Sequence, residues 1–293
     1  MLRCKRVVAF LLAMFLPILL CACSNTACND NIESGPFGQL YDKESGIKIL
    51  DLGELIVLEN CDITTTEYTL PNTFKNGLNI NYVGDHSFNQ NDTIVNLTIP
   101  DTYESIGQFS FSKCPNLESV YLGKNVKVIY DLAFTECPKL QSFAVSPENL
   151  YLYESDGCVI ERETQRLIAT NGKIPDGTKI IGACVFGGNK NLSNVIIPDG
   201  VEKIEGYAFD RSSVKTVILP ETLSSIGELA FANCLELTEI FIPAGVNVIE
   251  EGILGGTDGV VINCEAEFQP EGWDAKWLDG CTNYQLNWGV ERE

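Results

Sequence analysis

The sequence predicts a repeat solenoid, in which coils of about 23 residues stack on one another. The first observation is an apolar column that recurs with spacings of 23, 23, 52, 23, 22 and 23 residues. Its members are Phe88, Phe111, Phe134, Phe186, Phe209, Phe231 and Leu254. The second is that an aliphatic residue six positions after most of these phenylalanines keeps the same phase. Because one coil cannot bury its apolar side alone, neighbouring coils must stack.

Composition and charge narrow the functions that are open to this chain. Of its 293 residues, 45% are apolar and 20% are charged, which is a globular composition. There are 20 basic and 40 acidic side chains, and the net charge of −20 disfavours a sequence-independent grip on phosphates. We therefore expect no nucleic-acid partner. His86 is the single histidine, which excludes any mechanism that needs two imidazoles.

Residues 1–22 have the layout of an export signal. Residues 1–6 carry three positive charges and no acid, and the apolar stretch over 7–20 is shorter than a permanent membrane span. The stretch ends in Leu-Cys-Ala-Cys, which resembles the bacterial lipobox with Cys23 as the acceptor. The resemblance implies a lipoprotein signal peptide over 1–22, cleavage after Ala22 and a diacylglycerol thioether on Cys23. An ordinary signal peptide that is cut nearby is the alternative.

Two further segments are predicted before the regular coils begin. Residues 23–46 are polar, interrupted by glycine and proline and without hydrophobic period, which predicts a tether between a membrane and a folded domain. Residues 47–88 are predicted to form an N-terminal cap and the first repeat. This repeat is longer than the others, because 13 residues separate Leu70 from Val83 where later coils use seven.

Residues 89–259 follow the pattern L-x-x-V-x-I-P-x-x-V-x-x-I-G-x-x-A-F-x-x-C/N. This pattern resembles the leucine-rich repeats of the BspA-like bacterial surface proteins, and the likeness extends from about residue 63 to the C-terminus. The resemblance implies a solenoid with short parallel strands on one face. The residues agree, because segments such as 120–122 alternate with period two and are usually followed by a proline that ends the ladder.

The long step between Phe134 and Phe186 predicts an insertion. Cys158–Glu161 and Arg166–Thr170 are short alternating runs that are separated by polar residues, which is the pattern of a hairpin. BspA-like proteins often carry such a hairpin, and this chain has Asp-Gly-Cys-Val-Ile and Leu-Ile in the corresponding places. We therefore place a hairpin insertion near residues 146–172.

Residues 260–293 leave the repeat pattern and contain Trp273, Trp277 and Trp288. We predict a C-terminal cap, because the last coil of a solenoid must cover its exposed end. The family resemblance implies a similar terminal segment. The alternative is a glycan-binding surface lipoprotein, in which the three rings of this cap form a platform for sugars.

Twelve cysteines in an exported chain suggest disulfides, but the repeat phase argues against them at three positions. Three residues after the repeated Phe the chain places Asn91, Cys114, Cys137, Asn189, Ser212, Cys234 and Thr257. These residues share a small size and some ability to hydrogen-bond a backbone at a turn, which predicts a structural column. Cys264 and Cys281, both in the C-terminal cap, are the one pair that we consider for a bridge.

The sequence contains no recognisable catalytic or cofactor-binding pattern, so we predict no enzyme, no cofactor and no metal site. His86 falls in a column that is otherwise mostly apolar, which indicates a packing or rim position, and there is no phosphate-binding loop and no EF-hand. Acidic residues follow the strand-ending proline at Asp101, Asp176, Asp199 and Glu221. They are predicted to cap turn N–H groups, and weak calcium binding is the alternative. A hydrolase that uses two of the 40 carboxylates is the remaining catalytic hypothesis.

Strand alternation predicts a partner-binding face. Tyr121 alternates with inward-facing neighbours and therefore points outward, and later coils carry in the same outward column Ile196, Ile218 and Phe241. An apolar column with a polar margin is typical of a protein-binding surface. The alternatives are that such residues simply favour strands, or that the hairpin folds over this face.

These features together predict a lipid-anchored cell-surface protein that acts as a non-catalytic protein-binding or adhesion module. The family resemblance implies a protein ligand, in host extracellular matrix or on another cell surface. It also implies exposure on the bacterial cell envelope, with the membrane reached through the lipid on Cys23.

Overall fold

Strands account for nearly all regular structure in the computed structural model, which describes residues 32–75 and 77–291. In chain order they are β1 (Ile32–Ser34), β2 (Gln39–Asp42), β3 (Ile47–Asp51), β4 (Ile56–Asn60), β5 (Glu67–Thr69), β6 (Tyr82–Val83), β7 (Asn96–Ile99), β8 (Ser105–Ile106), β9 (Ser119–Leu122), β10 (Val128–Ile129), β11 (Ser142–Val145), β12 (Leu152–Ser155), β13 (Cys158–Glu161), β14 (Arg166–Ala169), β15 (Ile180–Ile181), β16 (Asn194–Ile196), β17 (Lys203–Ile204), β18 (Thr216–Ile218), β19 (Ser225–Ile226), β20 (Glu239–Ile242), β21 (Val248–Ile249), β22 (Val261–Cys264) and β23 (Gln285–Trp288). A 3-10 turn spans Pro36–Gly38. Within the described ranges, no helix is long and apolar enough to cross a bilayer.

The predicted parallel strands form two ladders, and the repeat solenoid is confirmed. One ladder has the order β11-β9-β7-β5 and the other the order β16-β18-β20-β22-β23. Equivalent residues of successive coils pair with each other, so that Leu97 lies beside Val120 and Val120 lies beside Phe143. These three side chains are almost fully buried, as period-two alternation requires.

Each coil also contributes a second strand of two residues, which was not predicted. These strands form the parallel ladders β6-β8-β10 and β15-β17-β19-β21, so the short strands are not restricted to one face. Each strand places one buried aliphatic residue inward, for example Ile106 and Ile226. A run of two residues is too short to show alternation in a sequence, and only the pairing with neighbouring coils identifies it.

The third side of each coil is a turn that holds the repeated phenylalanine. The N–H of Phe209 donates to the carbonyl of Ala230 in the next coil, at 2.8 Å. The Phe209 ring stacks between those of Phe186 and Phe231, with centroids 4.7 and 5.0 Å away. The residue two positions before the column has φ between 55° and 64°, as in His86, Phe109, Leu132, Cys184, Tyr207, Leu229 and Gly252. This left-handed backbone directs these side chains away from the core.

Part of the predicted tether is folded. Residues 32–42 form β1 and β2, which pair antiparallel with each other, and β2 pairs with β3. Asp42 is 3% exposed, and Leu40 packs against the buried cluster that contains Ile49. A polar segment folds here because pairing with β3 satisfies its backbone groups. The predicted signal peptide over 1–22, residue Cys23 and the tether residues up to 31 lie outside the described ranges.

The predicted hairpin forms, and it lies inside the stack of coils. β13 pairs antiparallel with both β12 and β14, and β14 pairs in parallel with β15. Cys158, Val159 and Ile160 are consecutive in β13, and each is at most 1% exposed. Val159 belongs to the buried cluster of the N-terminal coils, whereas Cys158 and Ile160 belong to that of the C-terminal coils. β13 is therefore an internal wall between two cores.

Candidate partner-binding face

Three of the four residues predicted to bind a partner form one exposed stripe on the C-terminal ladder. Ile196 in β16 lies beside Ile218 in β18, and Ile218 lies beside Phe241 in β20. Ile196 is 70% exposed and Ile218 is 45% exposed, while Phe241 is half-buried. We call these three residues the apolar stripe. It exists because the repeat places the third residue of each strand in register, pointing outward.

Tyr121 does not belong to the apolar stripe. It is 39% exposed on β9, in the N-terminal ladder, and its neighbours in the same outward column are Thr98 and Ala144. The sequence placed Tyr121 in the correct column. However, the hairpin wall separates the two ladders, so the four predicted residues do not form one continuous row.

The apolar stripe has an ordered polar margin. In the flanking column, the hydroxyl of Thr216 donates to Oδ1 of Asn194 at 2.7 Å. Beyond Phe241 the outward column continues as Asn263 and Asn287, whose amides are joined by a 2.8 Å hydrogen bond. Nδ2 of Asn263 also donates to Glu239 at 2.6 Å. The stripe therefore has a polar boundary on its flank and at its C-terminal end.

A depression of about 470 Å³ adjoins the apolar stripe, and the sequence did not reveal it. Its walls include Ile218 and Phe241 on the ladder, together with Val290 and Glu291 after the last strand. The N–H of Val290 donates to the carbonyl of Cys264 at 3.1 Å, which holds this segment beside the ladder. The only signal in the sequence was that the predicted cap over 260–293 continues beyond Trp288, which carries no information about the direction of that segment.

The hairpin does not cover the stripe. Its strands β12, β13 and β14 extend the ladder of two-residue strands that begins at β15, and the stripe lies on the other ladder. The alternative in which the hairpin folds over this face is therefore wrong, and Ile196 at the end of its ladder remains the most exposed member of the stripe.

The tryptophans close the end of the solenoid. Trp273 and Trp277 are each 4% exposed, and their ring centroids are 4.8 Å apart. Nε1 of Trp273 donates to the carbonyl of Val246 at 2.9 Å, and the half-buried Trp288 packs 5.7 Å from Trp273. Trp273 and Trp277 are too buried to stack on a sugar, and they pack as a cap on the last coil.

The cysteine column is structural, as its phase predicts. The thiols of Cys137 and Cys234 donate to the carbonyls of Phe111 and Phe209 in the preceding coils, both at 3.2 Å. Burial raises the pKa of the Cys234 thiol to about 11. A thiol with such a pKa stays protonated at neutral pH and is a poor nucleophile.

The pair that we considered for a bridge is not joined in the structure. Cys264 and Cys281 are both buried and both free. Burial raises the pKa of Cys264 to about 12 and that of Cys281 to about 11. Both thiols therefore act as small apolar groups in the C-terminal core.

The remaining candidate residues occupy turns. His86 is exposed and stacks on Phe109 with ring centroids 4.9 Å apart, which is a rim position. Oδ1 of Asp101 accepts a hydrogen bond from the N–H of Lys124 in the next coil at 2.9 Å, as a turn cap would. Among the described residues, no group of three His, Cys, Asp or Glu side chains is placed to hold a metal ion.

Comparison with known proteins identifies the repeat. The family described as "BspA type Leucine rich repeat region" matches residues 58–156 and 165–269, in six copies. No curated protein sequence matches the chain.

Solved structures of bacterial proteins resemble this chain over most of its length. The pneumococcal vaccine antigen PcpA has 17% identity and a TM-score of 0.51, over 87% of this chain and 88% of that chain. A leucine rich cell surface protein from Faecalibacterium prausnitzii A2-165 has 14% identity and a TM-score of 0.48, over 89% and 95%. Because the family match spans more than half of the sequence, this chain belongs to the BspA-type leucine-rich repeat family.

Proposed function

We propose that this protein is a non-catalytic protein-binding or adhesion module that binds its partner through the apolar stripe. The observation that carries the proposal is the register of Ile196, Ile218 and Phe241 on one ladder. Three adjacent strands present a large apolar side chain at the same outward position. A neighbouring protein surface can cover such a row along its length.

Several properties of the stripe support a protein partner. Its members are uncharged in a chain with a net charge of −20, so association there depends on apolar burial more than on charge. The hydrogen-bonded margin of Asn194, Thr216 and Asn263 resembles the polar rim of an interface. Tyr121 offers a second, smaller contact on the other ladder, because its ring is large and partly exposed.

We further propose that the chain is exported and attached to the bacterial cell envelope through a lipid on Cys23. The lipobox-like residues 20–23 support this, and so does the similarity in fold to a bacterial cell surface protein and to a pneumococcal vaccine antigen. The family resemblance suggests host extracellular matrix or another cell surface as the source of the protein ligand.

A matched pair of triple variants tests the binding face. Ile196→Ser, Ile218→Ser and Phe241→Ser together remove the stripe. The control Leu150→Ser, Leu235→Ser and Phe268→Ser removes three apolar side chains that are 74–80% exposed elsewhere. We expect the stripe variant to lose adhesion to immobilised matrix proteins and to host and bacterial cells at an unchanged melting temperature, while the control keeps it. Equal adhesion by both variants contradicts the proposal.

The anchor is tested by metabolic labelling with a radioactive fatty acid. Cys23→Ala is expected to abolish the label and to release the protein from the membrane fraction. Cys21→Ala is the matched control, because it removes a neighbouring thiol that does not fit the acceptor position. Label that persists in Cys23→Ala contradicts lipidation at this residue.

A further inference from the structure

The solenoid has a break in its third side between the coils of Phe134 and Phe186. Elsewhere on this side, backbone N–H groups of one coil donate to backbone carbonyls of the next coil. For example, the N–H of Phe111 donates to the carbonyl of Ala133 at 2.8 Å. Between the coils at the break, side chains make the contacts: Oγ1 of Thr135 donates to Gly187 O at 2.6 Å, and Nδ2 of Asn191 donates to Pro138 O at 3.1 Å.

This break opens a cavity of about 400 Å³, which we call the inter-coil cleft. Its apolar walls include Phe134 and Val185, both half-buried, together with the buried Leu140 and Leu192. A second depression continues the cleft outward and shares Leu140 with it. Phe134 is accessible here because its ring stacks on Phe111 on one side only, at 5.5 Å. Volume and lining match those of sites for small molecules.

The rim of the cleft carries an unusual concentration of positive charge. Sixteen basic side chains lie in the described ranges, and twelve of them form an ion pair with a carboxylate. The four described side chains outside these pairs are Lys139, Arg162, Lys173 and Lys190. Lys139, Lys173 and Lys190 all line the cleft or its outer continuation.

Two of the three rim lysines donate to neutral partners. Nζ of Lys139 donates to Oδ1 of Asn116 at 2.8 Å, and Nζ of Lys190 donates to the carbonyl of Arg211 at 2.6 Å. The fourth side chain, Arg162, lies apart, over the ring of Tyr153. Glu136 also lines the cleft, but its carboxylate is paired with Lys113 at 3.7 Å. In a chain with twice as many acids as bases, three lysines outside any ion pair beside one cavity form a local site for an anion.

We propose that the inter-coil cleft binds a small organic carboxylate. The carboxylate lies among Lys139, Lys173 and Lys190, and the uncharged body of the ligand packs against Phe134 and Val185. The net charge of −20 repels polyanions, which restricts the site to a small ligand with one charged group. The lining residues Asn189 and Asn191 add amide groups for a polar body, whereas the amide of Asn171 already donates to the carbonyls of Gln141 and Asp156. An acidic sugar and an acidic amino acid residue share this chemistry.

Isothermal titration of the full-length chain tests the proposal with separate arms for the two sources. The probes are glucuronate and N-acetylneuraminate for acidic sugars, and Ala-Asp and Ala-Glu amides for acidic residues. Methyl glucuronate is the uncharged counterpart, and inorganic phosphate is the competing anion. We expect at least one carboxylate to bind, to weaken as NaCl is raised from 20 to 300 mM, and to lose affinity on esterification.

Two triple variants of equal charge give the decisive comparison. Lys139→Gln, Lys173→Gln and Lys190→Gln are expected to weaken carboxylate binding at least tenfold. The control Lys124→Gln, Lys179→Gln and Lys203→Gln lowers the net charge equally, but removes lysines that pair with carboxylates away from the cleft. Five of the six are exposed and Lys124 is half-buried, so both variants should keep the melting temperature. Absence of carboxylate binding, equal loss in both variants, or lysine-dependent binding of phosphate alone overturns the proposal.

Discussion

The thiol of Cys234 donates a hydrogen bond to the carbonyl oxygen of Phe209 in the preceding coil, over 3.2 Å. The same position in the next coil is Thr257, whose hydroxyl donates to the carbonyl of Phe231 at 3.1 Å. Cys and Thr therefore act in this column as small donors to the preceding coil, whereas the hydroxyl of Ser212 contacts the thiol of Cys234 at 3.5 Å.

Asparagine occupies this column where no regular coil precedes. Asn91 begins the first stack and Asn189 follows the inter-coil cleft. Oδ1 of Asn91 instead accepts from the N–H of Ile94 at 2.9 Å, and Oδ1 of Asn189 accepts from the N–H of Asn191 at 2.9 Å. Each Asn thus caps its own turn, and the choice between Asn and a thiol marks the beginning of a stack.

Substitution of Cys234 is expected to depend on whether a donor remains. Cys234→Ser should change the free energy of unfolding by less than about 1 kcal/mol, because Ser212 occupies the same column naturally. Cys234→Val should destabilise by about 1–1.5 kcal/mol, because the buried carbonyl of Phe209 loses the thiol donor and keeps only the N–H of Ser212, at 3.0 Å. Urea denaturation measures both values. Equal losses for the two variants would show that packing alone determines this position.

Gly123 is expected to tolerate no side chain. A Cβ at this residue would lie 2.6 Å from the carbonyl carbon of Pro100 and 2.7 Å from the nitrogen of Asp101, both backbone atoms of the preceding coil. We expect Gly123→Ala to destabilise by about 1–3 kcal/mol in chemical denaturation, because two coils must separate locally. Gly206→Ala is the comparison, since its nearest contact is 3.1 Å, and its loss should be smaller.

The wall formed by β13 is expected to couple the two cores. Val159→Ala removes two methyl groups from the N-terminal core. This should lower the free energy of unfolding by about 2 kcal/mol. All three tryptophans lie in the C-terminal cap, so their fluorescence reports the other core. We expect Val159→Ala to lower the urea midpoint by the same amount whether unfolding is followed by tryptophan fluorescence or by far-ultraviolet circular dichroism. A fluorescence midpoint that stays at its original value would mean that the halves unfold independently.

Asp42 is expected to contribute a pH-dependent part of stability. Its carboxylate accepts from the hydroxyl of Ser45 at 2.5 Å and from Nζ of Lys75 at 3.2 Å, and the Ser45 hydrogen bond is the largest cause of its lowered pKa. A carboxyl whose pKa is depressed by folding stabilises the protein above its unfolded pKa. That contribution is lost as the pH falls through the folded value.

The measurement for Asp42 compares unfolding free energies at several pH values. The difference between the native chain and Asp42→Asn should be largest near neutral pH and should shrink below about pH 4. Asp176→Asn, on an exposed turn, is the control and should change stability little at any pH. A loss in Asp42→Asn that is the same from pH 3 to pH 7 contradicts an ionic role.

The periodicity of the sequence was sufficient to predict the outward column but not its continuity. Ile196, Ile218 and Phe241 follow from a repeat length that keeps side-chain direction constant from coil to coil. Tyr121 follows from the same rule, yet it lies on another ladder. That separation depends on where the hairpin inserts its strands, which is a long-range contact.

The sequence by itself determined the repeat length, the buried columns, the position of the hairpin and the closing role of the tryptophan segment. Each is encoded locally, because a coil repeats the same environment every 23 residues. Only the tertiary structure decided that β13 divides the core, that residues 32–42 pair with β3, and that Lys139, Lys173 and Lys190 surround one cleft. These features arise where the repeat is interrupted. There, the packing of distant segments replaces periodicity as the determinant of structure.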